Sequence, residues 1–151
     1  MIKIRHTGIV TKDLKKSLLF WNKYLGFKIV KDLKEGGRLI DKIMLYKNVD
    51  VRTLKLDDKN GNKIEILYFG NSPKLKKNII KPYSNGITHL SVTVKNIFKL
   101  FKFLKKKKII FNSEPKISED GNVIMTYCKT PEGAYLELVE EIKKVWDIIS
   151  E

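Results

Sequence analysis

Apolar residues recur along this chain at two spacings. Leu14, Leu18 and Leu25 fall on one helical stripe, and Ile97, Leu100, Phe101 and Leu104 form another. Elsewhere the pattern alternates, as strands do. Ile64 and Ile66 flank Glu65, and Leu136 and Leu138 flank Glu137. Leu90, Val92 and Val94 share one face, with His89, Ser91 and Thr93 on the other. Asp13 and Asn96 stand where helix N-caps belong, and Gly26 where the first helix must stop. The pattern predicts helices over about Leu14–Tyr24 and Ile97–Lys107. It predicts strands over about Lys28–Asp32, Val51–Asp57, Ile109–Asn112 and Val123–Lys129, besides those around the two His and the two Glu.

The pattern is duplicated. A shift of 83 residues lays His6 on His89, Ile9 on Val92, Lys12-Asp13-Leu14 on Lys95-Asn96-Ile97, and Phe20 on Phe103. A shift of 72 lays the run from Gly61 through Glu65 to Leu67 on the run from Gly133 through Glu137 to Val139. Each copy reads β-α-β-β-β. The expected fold is α+β: two tandem βαβββ modules forming a cupped mixed sheet within one domain spanning residues 1–151. Module 1 covers about 1–70, a linker 71–86, and module 2 about 87–140. A C-terminal helix over 141–150 follows from Ile142, Val145, Trp146 and Ile149 at helical spacing. Lys34–Asn48, with Gly36-Gly37, reads as a loop or short extra element.

Composition narrows the class. With 151 residues and 42% hydrophobic content, one ordinary core is affordable and general disorder is excluded. No run approaches the roughly 20 apolar residues of a membrane span, and Met1-Ile2-Lys3-Ile4-Arg5-His6 turns polar too soon for a signal peptide. The expectation is a cytoplasmic protein with no membrane partner. The net charge of +14 invites a nucleic-acid reading, but 28 of the 31 basic residues are Lys and only three are Arg. Base readers favour Arg for bidentate contacts, and 19 Ile and 10 Asn against one Ala point to codon bias as the source of the lysines. No nucleic-acid partner is expected, and the run Lys105–Lys108 reads as a solvated helix end. Cys128, the one cysteine, excludes an internal disulfide and reads as a buried strand residue.

The candidate chemistry lies in the duplicated polar positions. His6 and His89 are the only histidines, and they occupy matching slots beside the matching Glu65 and Glu137. If the modules pair their faces, two imidazoles and two carboxylates converge, a set suited to a divalent first-row cation such as Zn, Ni, Co, Mn or Fe. Tyr68, Phe69, Met125 and Tyr127 are candidates for the lining of such a cup. Arg38 and Arg52 are candidates for an anionic substrate group.

Several motifs carry a family resemblance. They are His6-Thr7-Gly8-Ile9-Val10 with Lys12-Asp13-Leu14, Ser17, Phe20, Trp21 and Tyr24-Leu25-Gly26-Phe27, then Gly61–Leu67, Gly86–Val92 and Thr130–Leu138. Together they resemble the vicinal oxygen chelate superfamily of glyoxalases, bleomycin-resistance proteins and dioxygenases, with a ligand pattern closest to glyoxalase I-like proteins. The resemblance implies metal ligands at His6, Glu65, His89 and Glu137. It implies a metal-dependent isomerase, epimerase or lyase (lactoylglutathione lyase-like or epimerase-like) working by proton transfer next to a carbonyl of a small, anionic or thioester substrate. Glu137 is then the first choice as base, leaving the metal as substrate binds, with Glu65 second. A homodimer is implied, with the site inside one chain or between two. The alternatives are a non-enzymatic small-molecule-binding or resistance protein of the same fold, and an Fe(II) dioxygenase.

Overall fold

The computed structural model describes residues 1–72 and 79–142. The chain divides into two compact units, Met1–Lys77 and Asn78–Glu151.

In the first unit, β1 (Thr7–Thr11), α1 (Leu14–Leu18), β2 (Lys28–Gly36), α2 (Arg38–Met44), β3 (Asp50–Asp57) and β4 (Lys63–Phe69) follow one another. The strands form a four-stranded sheet in the order β1-β4-β3-β2, with β1 parallel to β4 and the other pairs antiparallel. In the second unit, β5 (His89–Thr93), α3 (Ile97–Lys106), β6 (Lys116–Ile117), β7 (Val123–Lys129) and β8 (Tyr135–Glu141) repeat that topology as β5-β8-β7-β6. Both units are βαβββ modules and the class is α+β. Gly8 stands opposite Glu65 and Ser91 opposite Glu137. The two sequence shifts that align the modules therefore also align their strand registers.

Alternation sorts the sheet faces as expected. Leu54, Leu56, Ile64 and Ile66 are buried in the first unit, and Cys128, Leu136 and Leu138 in the second. Glu65 and Glu137 point to the opposite faces. The shift of 72 lays Leu56 on Cys128, so the thiol takes a core hydrophobe's place, and burial pushes it up to about 12. The caps form as predicted. Asp13 accepts from the backbone N–H of Lys16 and Asn96 from that of Lys99, each at 3.0 Å. Gly26, at φ +80°, ends the first helical run in a conformation that only glycine adopts without strain.

Two expectations need correction. The first helix is not one regular α-helix, because α1 gives way to a π-helical segment, Leu19–Tyr24. The buried residues of this run are Ser17 in α1 and Phe20 and Trp21 in the widened turns, while Leu14, Leu18 and Leu25 are only half-buried. Trp21 packs edge-to-face on Phe20 and on Phe27, with centroids 5.1 and 5.8 Å apart. The predicted strand Ile109–Asn112 is reduced to one bridge, Phe111 to Cys128, and the pairing resumes only at β6. Between them the Ser113 carbonyl accepts from the Thr126 hydroxyl, and Pro115 has no N–H to give to a ladder. Lys34–Asn48, expected as a loop or short extra element, carries β2 on to Gly36 and then forms the extra element, α2. Asp41 pins its exit by accepting from the backbone N–H groups of Asn48 and Val49 at 2.9 and 2.8 Å. At the C-terminal end, Glu141 belongs to β8, and the rest of the expected helix, beyond Ile142, lies outside the described residues.

Candidate metal centre

Each unit brings its own histidine to its own glutamate. In the first, His6 lies just ahead of β1, and its Nε2 is 3.4 Å from Glu65 Oε1. His6 stands outside the ladder, which begins at Thr7. In the second, His89 opens β5, with Nε2 4.0 Å from Glu137 Oε2. Both glutamate side chains are well covered, at 13% and 16% exposure. Among the described residues no third His, Cys, Asp or Glu joins either pair.

The strand next to each glutamate supplies a further polar group, and here the units part. Lys55 on β3 is the cross-strand partner of Glu65, and its Nζ is 3.3 Å from Glu65 Oε2. Tyr127 on β7 is the cross-strand partner of Glu137. Burial, then a hydrogen bond to Glu137 and that carboxylate's charge, raise the Tyr127 phenol above its ordinary value. The Tyr127 ring also meets the His89 imidazole edge-to-face at 5.4 Å. Thr88 Oγ1 lies 3.1 Å from His89 Nδ1, which leaves Nε2 as the ring nitrogen turned to Glu137. Lys55 is a residue that motif reading misses. Its signal is nonetheless present, since the shift of 72 that matches the two glutamates lays Lys55 on Tyr127.

These pairs suit a divalent cation. Imidazole nitrogen and carboxylate oxygen are its usual first-row donors, and two such atoms each about 2.0–2.2 Å from one ion stand roughly 3 Å apart or a little more. The His–Glu separations need little change to meet that. Of the arginine candidates, Arg52 is already committed. It donates two hydrogen bonds to Asp32, at 2.9 and 2.7 Å, which lower the Asp32 carboxyl and raise the Arg52 guanidinium. Three positions from Lys55 along β3, it faces away from Glu65. Arg38 begins α2 and is exposed. On the Glu65 face the nearer cations are Lys55 and its own cross-strand partner Lys31. Phe69 shares that face, whereas Tyr68 faces the other way, and Met125 shares the Glu137 face with Tyr127.

Fold and paired sites together define a duplicated βαβββ protein with acid–imidazole pairs on its sheets. The chain belongs to the glyoxalase/bleomycin resistance protein/dioxygenase superfamily, whose family model matches residues 3–138. Among solved structures it is similar to a glyoxalase family protein from Bacillus cereus, at 17% identity and a TM-score of 0.83, covering 95% of this chain and 96% of that one. It is similar to the trypanothione-dependent glyoxalase I of Leishmania major, at 21% identity and 0.63, covering 93% and 88%. It is also similar to glyoxalase I of Zea mays, at 16% identity and 0.67, covering 94% of this chain and 46% of that one. At such identities the likeness is one of fold. A comparison with curated proteins returns no match.

Proposed function

We propose that the protein is a metal-dependent isomerase, epimerase or lyase that moves a proton next to the carbonyl of a small substrate. The observation that carries this reading is the recurrence of one His–Glu pair at register-equivalent positions in both units. The proposal takes His6, Glu65, His89 and Glu137 as one ligand set, assembled within a chain or between the two chains of a homodimer, in the cytoplasm. A bound divalent ion of the Zn, Ni, Co, Mn or Fe group would polarise the carbonyl oxygen as a Lewis acid. His6 and His89 would hold it. Glu137 would take the proton from the carbon next to the carbonyl and return it. Its cross-strand neighbour Tyr127 sets a neutral phenol beside that carboxylate. Glu65 is held in an ion pair with Lys55. The lysines beside it suit a substrate with an anionic group.

The test joins metal analysis with solvent exchange. Full-length protein loaded with Zn, Ni, Co, Mn or Fe in turn is expected to retain the ion stoichiometrically. It should then incorporate deuterium from D2O into 2-oxo or thioester compounds. Glu137→Gln should reduce that incorporation by about 100-fold or more, the scale of a lost general base. Failure to retain any of these ions, or exchange untouched by Glu137→Gln, rejects the assignment. Oxygen consumption with catechol-like compounds by the Fe(II)-loaded protein would favour a dioxygenase instead.

A further inference from the structure

We propose that Lys55 is a positioning residue: it holds one oxygen of the Glu65 carboxylate, reserves the other for a cation, and keeps the first unit's hold on that cation deliberately weak. The inference rests on the metal-dependent reading above. Its basis is the division of one carboxylate between two partners. Oε2 faces the Lys55 ammonium at 3.3 Å and Oε1 faces His6 at 3.4 Å. Both Lys55 and Glu65 are mostly covered, at 22% and 13% exposure, so water screens this pair less than a surface one.

Two consequences oppose each other. Holding Glu65 in one orientation spares the entropy of ordering it when a cation arrives, which favours binding. A full positive charge a few ångströms from the cation opposes binding. Near a protein surface, like charges at such distances interact by more than the cost of freezing one side chain. Repulsion therefore wins, and Lys55 lowers cation affinity. It also draws electron density from the carboxylate, so an ion held there keeps more of its power to polarise a substrate oxygen. At the equivalent position of the second unit, Tyr127 is a neutral donor and exerts no such repulsion.

The test is calorimetric titration of the metal-free full-length chain with Zn2+, beside exchange activity. Lys55→Met should bind Zn2+ about tenfold more tightly than the wild type and turn over more slowly. Lys55→Arg, which keeps the charge, should bind within about twofold of the wild type. Lys63→Met, which removes a more exposed lysine paired with Asp57 at 3.8 Å, controls for net charge and should change little. A wild type that binds Zn2+ while Lys55→Met binds it equally or more weakly overturns the role given to Lys55 and leaves the metal reading standing. So does equal tightening in Lys55→Arg or Lys63→Met. Zn2+ bound by neither the wild type nor Lys55→Met overturns both. A merely structural strand ion pair would lower the unfolding temperature of Lys55→Met without tightening Zn2+.

Discussion

The two units share strand order, strand register and a His–Glu pair, yet they differ at the residues that surround those features. Opposite its glutamate the first unit has a charged lysine and the second a neutral tyrosine. The first packs its helical segment through a π-helical turn around Phe20 and Trp21, and the second uses a regular α-helix around Ile97 and Leu104. Duplication thus preserves the backbone scaffold, which every strand pair depends on, and releases the side chains that only one unit needs. The two acids differ accordingly: Glu65 is tied by an ion pair, and Glu137 stands opposite a phenol.

The largest expected effect tests the packing side of this contrast. Phe20 and Phe103 are repeat equivalents, but Phe20 is 1% exposed and Phe103 38%. Phe20→Ala should cost about 3–5 kcal/mol of stability and Phe103→Ala less than about 1 kcal/mol. Urea denaturation followed by circular dichroism measures both. Equal losses would mean that the π-helical turn is incidental to the first core.

The next effect tests the two acids. Removing the charge of Glu65 leaves the Lys55 ammonium without its counter-ion beside the cation. Removing that of Glu137 leaves only a neutral phenol. Glu65→Gln should therefore lose about 100-fold in Zn2+ affinity and Glu137→Gln about tenfold, roughly 2.7 against 1.4 kcal/mol. Exchange activity should show the reverse ranking, since Glu137 is the proposed base. Titration of both variants, beside their deuterium incorporation rates, separates holding the ion from moving the proton. Identical losses on both measures would make the two half-sites equivalent.

What could be read without coordinates follows from the same division. Alternation places Glu65 between Ile64 and Ile66 and Glu137 between Leu136 and Leu138, so their face is legible from a few neighbours. The shifts of 83 and 72 carry register, because a one-residue slip would turn every buried side chain outward. Local chemistry also fixes the caps at Asp13 and Asn96. The stripe of Leu14, Leu18 and Leu25 misleads because a period of 3.6 fails where the helix widens, and there Phe20 and Trp21 are the buried residues. The split edge strand near Ser113–Pro115 depends on a side-chain hydrogen bond from Thr126, thirteen residues away along the chain. Arg52 looks available for a substrate until Asp32 on the neighbouring strand is seen to occupy it. The last two are decided by contacts between residues far apart in the chain, which have no local signature.

The smallest effect concerns the caps. Asn96 is neutral at every pH, and Asn96→Ala should destabilise the second unit by about 1 kcal/mol throughout the acid range. Asp13 does the same work with a carboxylate that hydrogen bonds to the Lys16 backbone N–H hold below its ordinary value of 3.8. A carboxyl lowered in the folded state contributes stability above its unfolded value, and that contribution is lost as the pH falls through the folded one. Asp13→Asn keeps the cap geometry and removes the charge. The variant should therefore be slightly less stable than the wild type at pH 6, and the difference should shrink as the pH falls below 3.8. Urea midpoints of both proteins at several pH values between 6 and 3 measure the gap. A gap that stays constant across that range would show that the carboxylate charge adds nothing to the cap, leaving the first unit's helix start governed by hydrogen-bond geometry alone, as the second's is.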